Sequence, residues 1–241
     1  MAVRSGAVSG FLPSRHGFRF ANRWPPGPTV RLGPLDFRNL GLGDASSGLC
    51  GGMVAAVRDL FEEGIAQPPD PTPPPNGSPR FRYIVRRQVQ SLDWLRVPLR
   101  YYDLQAFRPD PPGSLARLLG RRPAREVALH EEWPRIRDAI DRGILPIVGL
   151  VRAAGWAPGS LARHHQVLAY GYEEDAGGLL IRIYDPNHPA RDDVALRVGV
   201  GPALDRPGRE RIELAQSTGE PLLGFFRQPD PPPPGRLRAW R

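Results

Sequence analysis

The sequence predicts an α+β fold, and three observations predict it. Apolar residues recur at helical spacing in the first half of the chain, most clearly from Cys50 to Phe61. Apolar, aromatic-rich runs separated by glycine-containing loops fill the second half, as in "HHQVLAYGYEEDAGGLLIRIYDPNHP". A helix followed by a run of strands, rather than strict βαβ alternation, argues against a doubly wound parallel sheet. With 241 residues, 40% of them hydrophobic, the chain can bury one sizeable core. One domain is expected over residues 1–227, followed by a Pro- and Arg-rich C-terminal tail, 228–241.

The elements follow in order. In "DASSGLCGGMVAAVRDLFEEG", Met53, Val54, Val57, Leu60 and Phe61 share a helical face, with Arg58, Asp59, Glu62 and Glu63 opposite. Gly64 stands where a helix-ending glycine belongs. The stretch "AQPPDPTPPPNGSP", Ala66 to Pro79, is expected to be an extended surface loop, because proline has no amide proton and fixes its own φ. The next stretch, "FRYIVRRQVQSLDWLR", mixes strand and helix signals and is left open. "EEWPRIRDAIDRG" reads as a helix with Pro134 in its first turn, stopped by Gly143. "ILPIVGLVRA" is a short apolar run suited to a buried strand. The stretch from His164 to Pro189 reads as a hairpin turning at Asp175 to Gly178, and "PLLGFFRQP" adds a further strand. The tail "QPDPPPPGRLRAWR" is expected to fray.

Charge excludes less than its size suggests. Basic residues exceed acidic ones by 33 to 25, for a net charge of +8, yet every basic residue is Arg and none is Lys. A GC-rich genome produces this Arg-, Pro-, Gly- and Ala-rich composition without functional demand. The arginines are interspersed with acids and form no basic run or basic-aromatic alternation, which argues against nucleic acid as the partner. A proline-rich segment can also dock into a partner protein's groove, so the two proline tracts are candidate contact regions, though a spacer is the commoner use. The first thirty residues lack a continuous apolar stretch of signal-peptide type, and no apolar run is long enough to span a bilayer. A cytoplasmic protein with no membrane partner is therefore expected. The single cysteine, Cys50, can form no internal disulfide, which suits a reducing compartment.

That cysteine stands at the start of the first strong helix. A thiolate is favoured there, because unpaired backbone N–H groups and the helix dipole direct positive charge at it. Gly48, Gly51 and Gly52 around it would allow a substrate backbone to approach the sulfur, and the Cys50 N–H could donate to a developing oxyanion. His165 opens the strand "HQVLAYGY" and can serve as the proton shuttle. The hairpin returns the chain at "YDPNHP", where Asp185 or Asn187 could orient the imidazole. By strand alternation, His164 is expected to face solvent. His164, His165, Asp185 and His188 lack the spacing of a metal site, so no metal is assigned. His16, in "SRHGFRFANRW", belongs to a packing arm or to a substrate edge.

A helical Cys, a His opening a strand of pattern H-x-V-L-x-x-G-Y, and an Asp or Asn ending the next strand resemble the papain-like cysteine peptidase superfamily. The likeness is to compact bacterial members such as the double-glycine leader peptidases, and it covers roughly Leu42 to Pro189. The segment "WPRIRDAIDRGILPIVGL" is similar to the one those proteins place before the His strand. The resemblance implies a nucleophile helix packed on a mostly antiparallel sheet, with Cys50 as nucleophile, His165 as general base and acid, and Asp185 as orienter, Asn187 being its substitute. It implies a peptide or amide substrate, a thioester intermediate and no cofactor. Papain-type enzymes carry a Gln shortly before the Cys as a side-chain oxyanion donor, whereas residues 43–49 read "GDASSGL". Ser46, Ser47 and Asn39 are the candidate substitutes. Two function classes follow: a cysteine hydrolase (peptidase, amidase or acyl transferase), or a catalytically silent module of the same fold used for binding.

Overall fold

The computed structural model describes residues 3–25, 31–32, 35–36, 48–93, 96–110, 118–202, 210–234, 237 and 239–240. Asn39, Ser46 and Ser47 lie outside the described residues. The fold is α+β, built on a seven-stranded sheet whose pairings are all antiparallel.

The helices before the sheet are α1 (Pro13–His16), α2 (Cys50–Glu62), α3 (Pro79–Ser91) and α4 (Arg96–Tyr102), the last running into a π-helical turn at Asp103–Phe107. Helix α2 starts at the cysteine and ends as the glycine requires. Gly64 has φ +63°, and the Ile65 and Gly64 N–H groups donate to the carbonyls of Leu60 and Phe61, the Schellman pattern. The ambiguous stretch after the proline loop is helix α3. Pro79 occupies its first turn and the Ser78 hydroxyl accepts the Phe81 N–H at 3.2 Å, two start signals that outweigh the mixed periodicity. The preceding loop is extended and has no buried residue from 66 to 78.

Helices α5 (Ala124–Val127) and α6 (Trp133–Asp141) flank a second π-helical turn, Ala128–Glu132. Gly143, at φ +76°, ends α6 with the same Schellman bonds, Ile144 N–H to Ala139 and Gly143 N–H to Ile140. The sheet strands are β1 (Arg4–Ala7), β4 (Ile147–Val151), β5 (His165–Asp175), β6 (Gly178–Tyr184), β7 (Ala195–Pro202), β8 (Glu210–Gln216) and β9 (Gly224–Arg227). Strands β2 (Arg31–Leu32) and β3 (Leu35–Asp36) pair separately. The spatial order is β8-β7-β6-β5-β4-β9. All five residues of β4 are buried, so both faces of the sheet are covered there.

Strand β5 organises the site. Its first residues pair with β4, Leu150 opposite His165, while its distal part pairs on the same side with β1, Ala7 opposite Gly171. Strand β6 runs along its other side, with a register irregularity between Ala169 and Gly171. Helix α2 packs on β5 and α3 packs on α2. Nine of the thirteen α2 residues are buried, so this helix lies inside the core rather than on its surface. The tail differs from the frayed end expected: Leu237 and Trp240 are buried, and Trp240 stacks on Phe18 and meets Tyr83 edge-on. Arg87 Nη1 donates to the Pro232 carbonyl, while its Nη2 donates to Oδ1 of Asp59, its buried partner on α2. Among the described residues no helix is long and apolar enough to cross a membrane.

Candidate functional site

Cys50 is the first residue of α2 and half-buried, so its N–H has no partner four residues back within the helix. The turn before it is held from outside the helix. The Leu49 N–H donates to Asn22 Oδ1 at 2.7 Å, Trp24 Nε1 donates to the same oxygen at 3.0 Å, and the Asn22 N–H donates to the Pro186 carbonyl at 2.9 Å. The arm around His16 and Asn22 is thus a packing element that ties the start of α2 to the loop carrying Asp185. His16 itself stacks on Phe11.

Glycine has a different reason at each position near the sulfur. Gly48 has φ +95° and lines the cleft beside Cys50. Gly51 and Gly52 are buried, and their absent side chains serve packing rather than substrate approach, which corrects the sequence reading. A Cβ on Gly52 would lie 2.2 Å from the Ile84 carbonyl oxygen on α3, and one on Gly51 would lie 2.3 Å from Gln166 Oε1 and from Ser91 Oγ. The two helices can approach this closely only because both positions lack a side chain.

His165 and Asp185 meet across the β5–β6 hairpin. His165 Nε2 donates to Asp185 Oδ1 at 2.6 Å; the two residues are 4% and 1% exposed. Asp185 Oδ1 also accepts the Asn187 N–H at 2.8 Å, and its Oδ2 accepts from Gln216 Nε2 at 2.9 Å with Arg152 Nη2 3.7 Å away. Asn187 therefore acts through its backbone on Asp185, and Asp185 is the residue that orients the ring. From the other side, the Tyr101 hydroxyl donates to the His165 carbonyl at 2.6 Å.

These contacts set the protonation states. Burial disfavours the His165 cation, but Asp185 and, to a smaller degree, Cys50 outweigh it and raise the imidazole to about 9. Burial pushes the Cys50 thiol up, yet the hydrogen bond and charge of His165, with the Gln166 and Gly51 N–H groups, hold it below its ordinary value. Burial likewise opposes the Asp185 carboxylate, and His165 with the Asn187 N–H and Arg152 keeps it well below the usual carboxylate range. The arrangement favours a thiolate beside an imidazolium beside a carboxylate.

His164 does not face solvent, contrary to the alternation argument. It is buried, stacks on Tyr101 at 4.6 Å, accepts the Arg152 N–H at Nδ1 and meets Gln105 Oε1 with Nε2 at 2.7 Å. Burial, followed by the nearby Arg163 and Arg152 charges, lowers it to about 4, so it is neutral. His188 pairs with Glu220 instead of joining the other histidines. Among the described residues no group of three or more His, Cys, Asp or Glu side chains is arranged to hold a metal ion.

The cleft beside Cys50 encloses about 40 Å³ and is lined by Gly48, Gln88, Leu92, Tyr101, His164 and Gln166, among others. Sequence reasoning missed Asn22, Gln88, Tyr101, Arg152 and Gln216. Each is an ordinary polar, charged or aromatic residue at least 13 positions along the chain from both Cys50 and His165, and none forms a motif with them. Comparisons with protein-family models, with curated proteins and with solved structures return no match to this chain.

Proposed function

We propose that this protein is a cysteine hydrolase, a peptidase or an amidase or acyl transferase, of papain-like architecture, working through Cys50, His165 and Asp185. The supporting observation is that one buried imidazole is hydrogen-bonded to Asp185 and also interacts with the thiol at a helix start, lowering its pKa. In this reading the Cys50 thiolate attacks a carbonyl carbon, forming a C–S bond and a tetrahedral oxyanion. Collapse breaks the bond to the leaving amine, which takes the proton from His165 and departs. Water then gives a proton to His165, attacks the thioester and releases the acid, restoring the free thiolate. Asp185 stays ionised throughout and keeps Nε2 engaged, leaving Nδ1 for the proton transfers.

Iodoacetamide alkylation of Cys50 between pH 4 and 9, in wild type and His165→Ala, tests this reading. Fast alkylation that persists well below the ordinary thiol range, and is lost in the variant, is the expected result. Slow and equal reaction of both proteins would overturn it. A second reading, a catalytically silent binding module, draws on a different observation. The cavity of about 470 Å³ between Leu104, Arg108, Ile212 and Leu222 is far larger than the cleft at the thiol. The same alkylation experiment separates the two.

A further inference from the structure

The side-chain oxyanion donor expected shortly before the cysteine has no Gln or Asn to supply it within residues 43–49. Gln88, on α3, is 9% exposed and lines the cleft together with Cys50. Its Oε1 accepts the Gly52 N–H at 2.8 Å, one of the orphan donors at the start of α2. That bond fixes which way the amide is turned: the oxygen is committed to the helix, and Nε2 is the end left to donate. Among the described residues Nε2 has no hydrogen-bond partner. Its own backbone is anchored too, because Ser91 Oγ donates to the Gln88 carbonyl at 2.8 Å. Gln166 shares the cleft, but its buried Oε1 has no partner, so no hydrogen bond fixes which end of its amide is turned to donate.

We propose that Gln88 Nε2, together with the Cys50 N–H, is the oxyanion donor of this site, supplied by a second helix rather than by the chain before the cysteine. The proposal rests on the hydrolase reading and makes Gln88 a catalytic residue. Preorganised donors of this kind act on the charge that develops in the tetrahedral intermediate and not on the thiolate. Two probes therefore separate it from a mere packing role. With p-nitrophenyl acetate, the thiolate adds to the carbonyl carbon, the π electrons move to oxygen, and collapse expels p-nitrophenolate with its electron pair, leaving acetyl-Cys50. With iodoacetamide, the thiolate displaces iodide directly and no oxyanion forms.

The experiment compares both rates in wild type, Gln88→Ala, Gln88→Met and Gln166→Met at pH 6 to 8; Met keeps the length of the side chain without a donor or acceptor and guards against collapse of the Ala variant. The expected result is acylation slowed by about 10- to 10²-fold with alkylation unchanged. Loss of one donor costs about 10²–10³ with ordinary acyl substrates, and an activated ester with an early transition state sits at the lower end. Three outcomes would overturn the proposal: both rates unchanged, both rates falling together, or the same selective loss in Gln166→Met and not in Gln88→Met. If the hydrolase reading itself fails, wild type already alkylates as slowly as a free buried thiol, a result separate from all three.

Discussion

The Asn22 side-chain oxygen holds the Leu49 N–H at 2.7 Å, and so fixes the backbone immediately before Cys50. Asn22 also bonds Pro186 through its own N–H, so a single residue couples the nucleophile end of the site to the orienter end. Asn22→Ala strands the Leu49 and Trp24 donors. An expected loss of about 1–3 kcal/mol in unfolding free energy follows, measurable by urea titration, together with slower Cys50 alkylation at pH 6. Unchanged alkylation in a destabilised variant would show that the arm supports the fold without setting the thiol.

The protonation states give a signed pH dependence. His165 is raised to about 9, so its contribution to stability is complete below its ordinary value of 6.5 and is lost as pH rises through about 9. Asp185 is depressed, so its contribution is complete above its ordinary 3.8 and is lost only on strong acidification. Cys50, also depressed, adds stability as pH rises, in the opposite sense to His165. In a Cys50→Ser background, unfolding free energy should therefore fall between pH 6.5 and 9, and adding Asp185→Asn should flatten that slope. Equal slopes with and without Asp185 would refute the assigned coupling.

Gly52 and Gly51 should respond unequally to alanine. The Gly52 methyl would meet backbone, the Ile84 carbonyl oxygen at 2.2 Å, whereas the Gly51 methyl meets the ends of two side chains. Gly52→Ala is expected to cost about 1–3 kcal/mol through overpacking, and Gly51→Ala less. Thermal unfolding of the two variants decides the order.

The C-terminal tail is open to a direct test. Trp240 is buried against Phe18 and Tyr83, with Arg80 5.6 Å from its ring centre. Trp240→Ala should cost about 3–5 kcal/mol, the range for removing a large buried aromatic. A frayed tail would make the substitution neutral by chemical denaturation.

The helix at Cys50, the helix at Trp133 and the strands from Ile147 to Tyr184 were legible because each has a strong period and a glycine or turn at its end. The His165–Asp185 pair was legible for a related reason: a short hairpin brings its two ends together whatever the rest of the chain does. Helix α3 was not, because its inward face turns polar at Arg87 and Gln88, where the fold needs a partner for Asp59 and a cap for α2. A buried polar face has the same letters as a solvated one. His164 misled for another reason, since alternation assigns faces but cannot foresee that α4 and the following π turn would cover the face that α2 leaves open. Gln216 lies 31 residues beyond Asp185 on a strand of its own, and only the sheet order brings its amide to the carboxylate.

The divided partnership of β5 leaves the pairing of its distal half on one side to β1. Strand β4 covers only the His165 end, and β1 alone occupies the hydrogen-bonding row from Gly171 to Glu174 on that side. A protease that clipped the chain after Ala7 would expose a row of unpaired amides and carbonyls in mid-sheet, open to a strand from a neighbouring molecule. Arg4–Ala7 thus shields the distal hydrogen-bonding row of the strand that carries the imidazole.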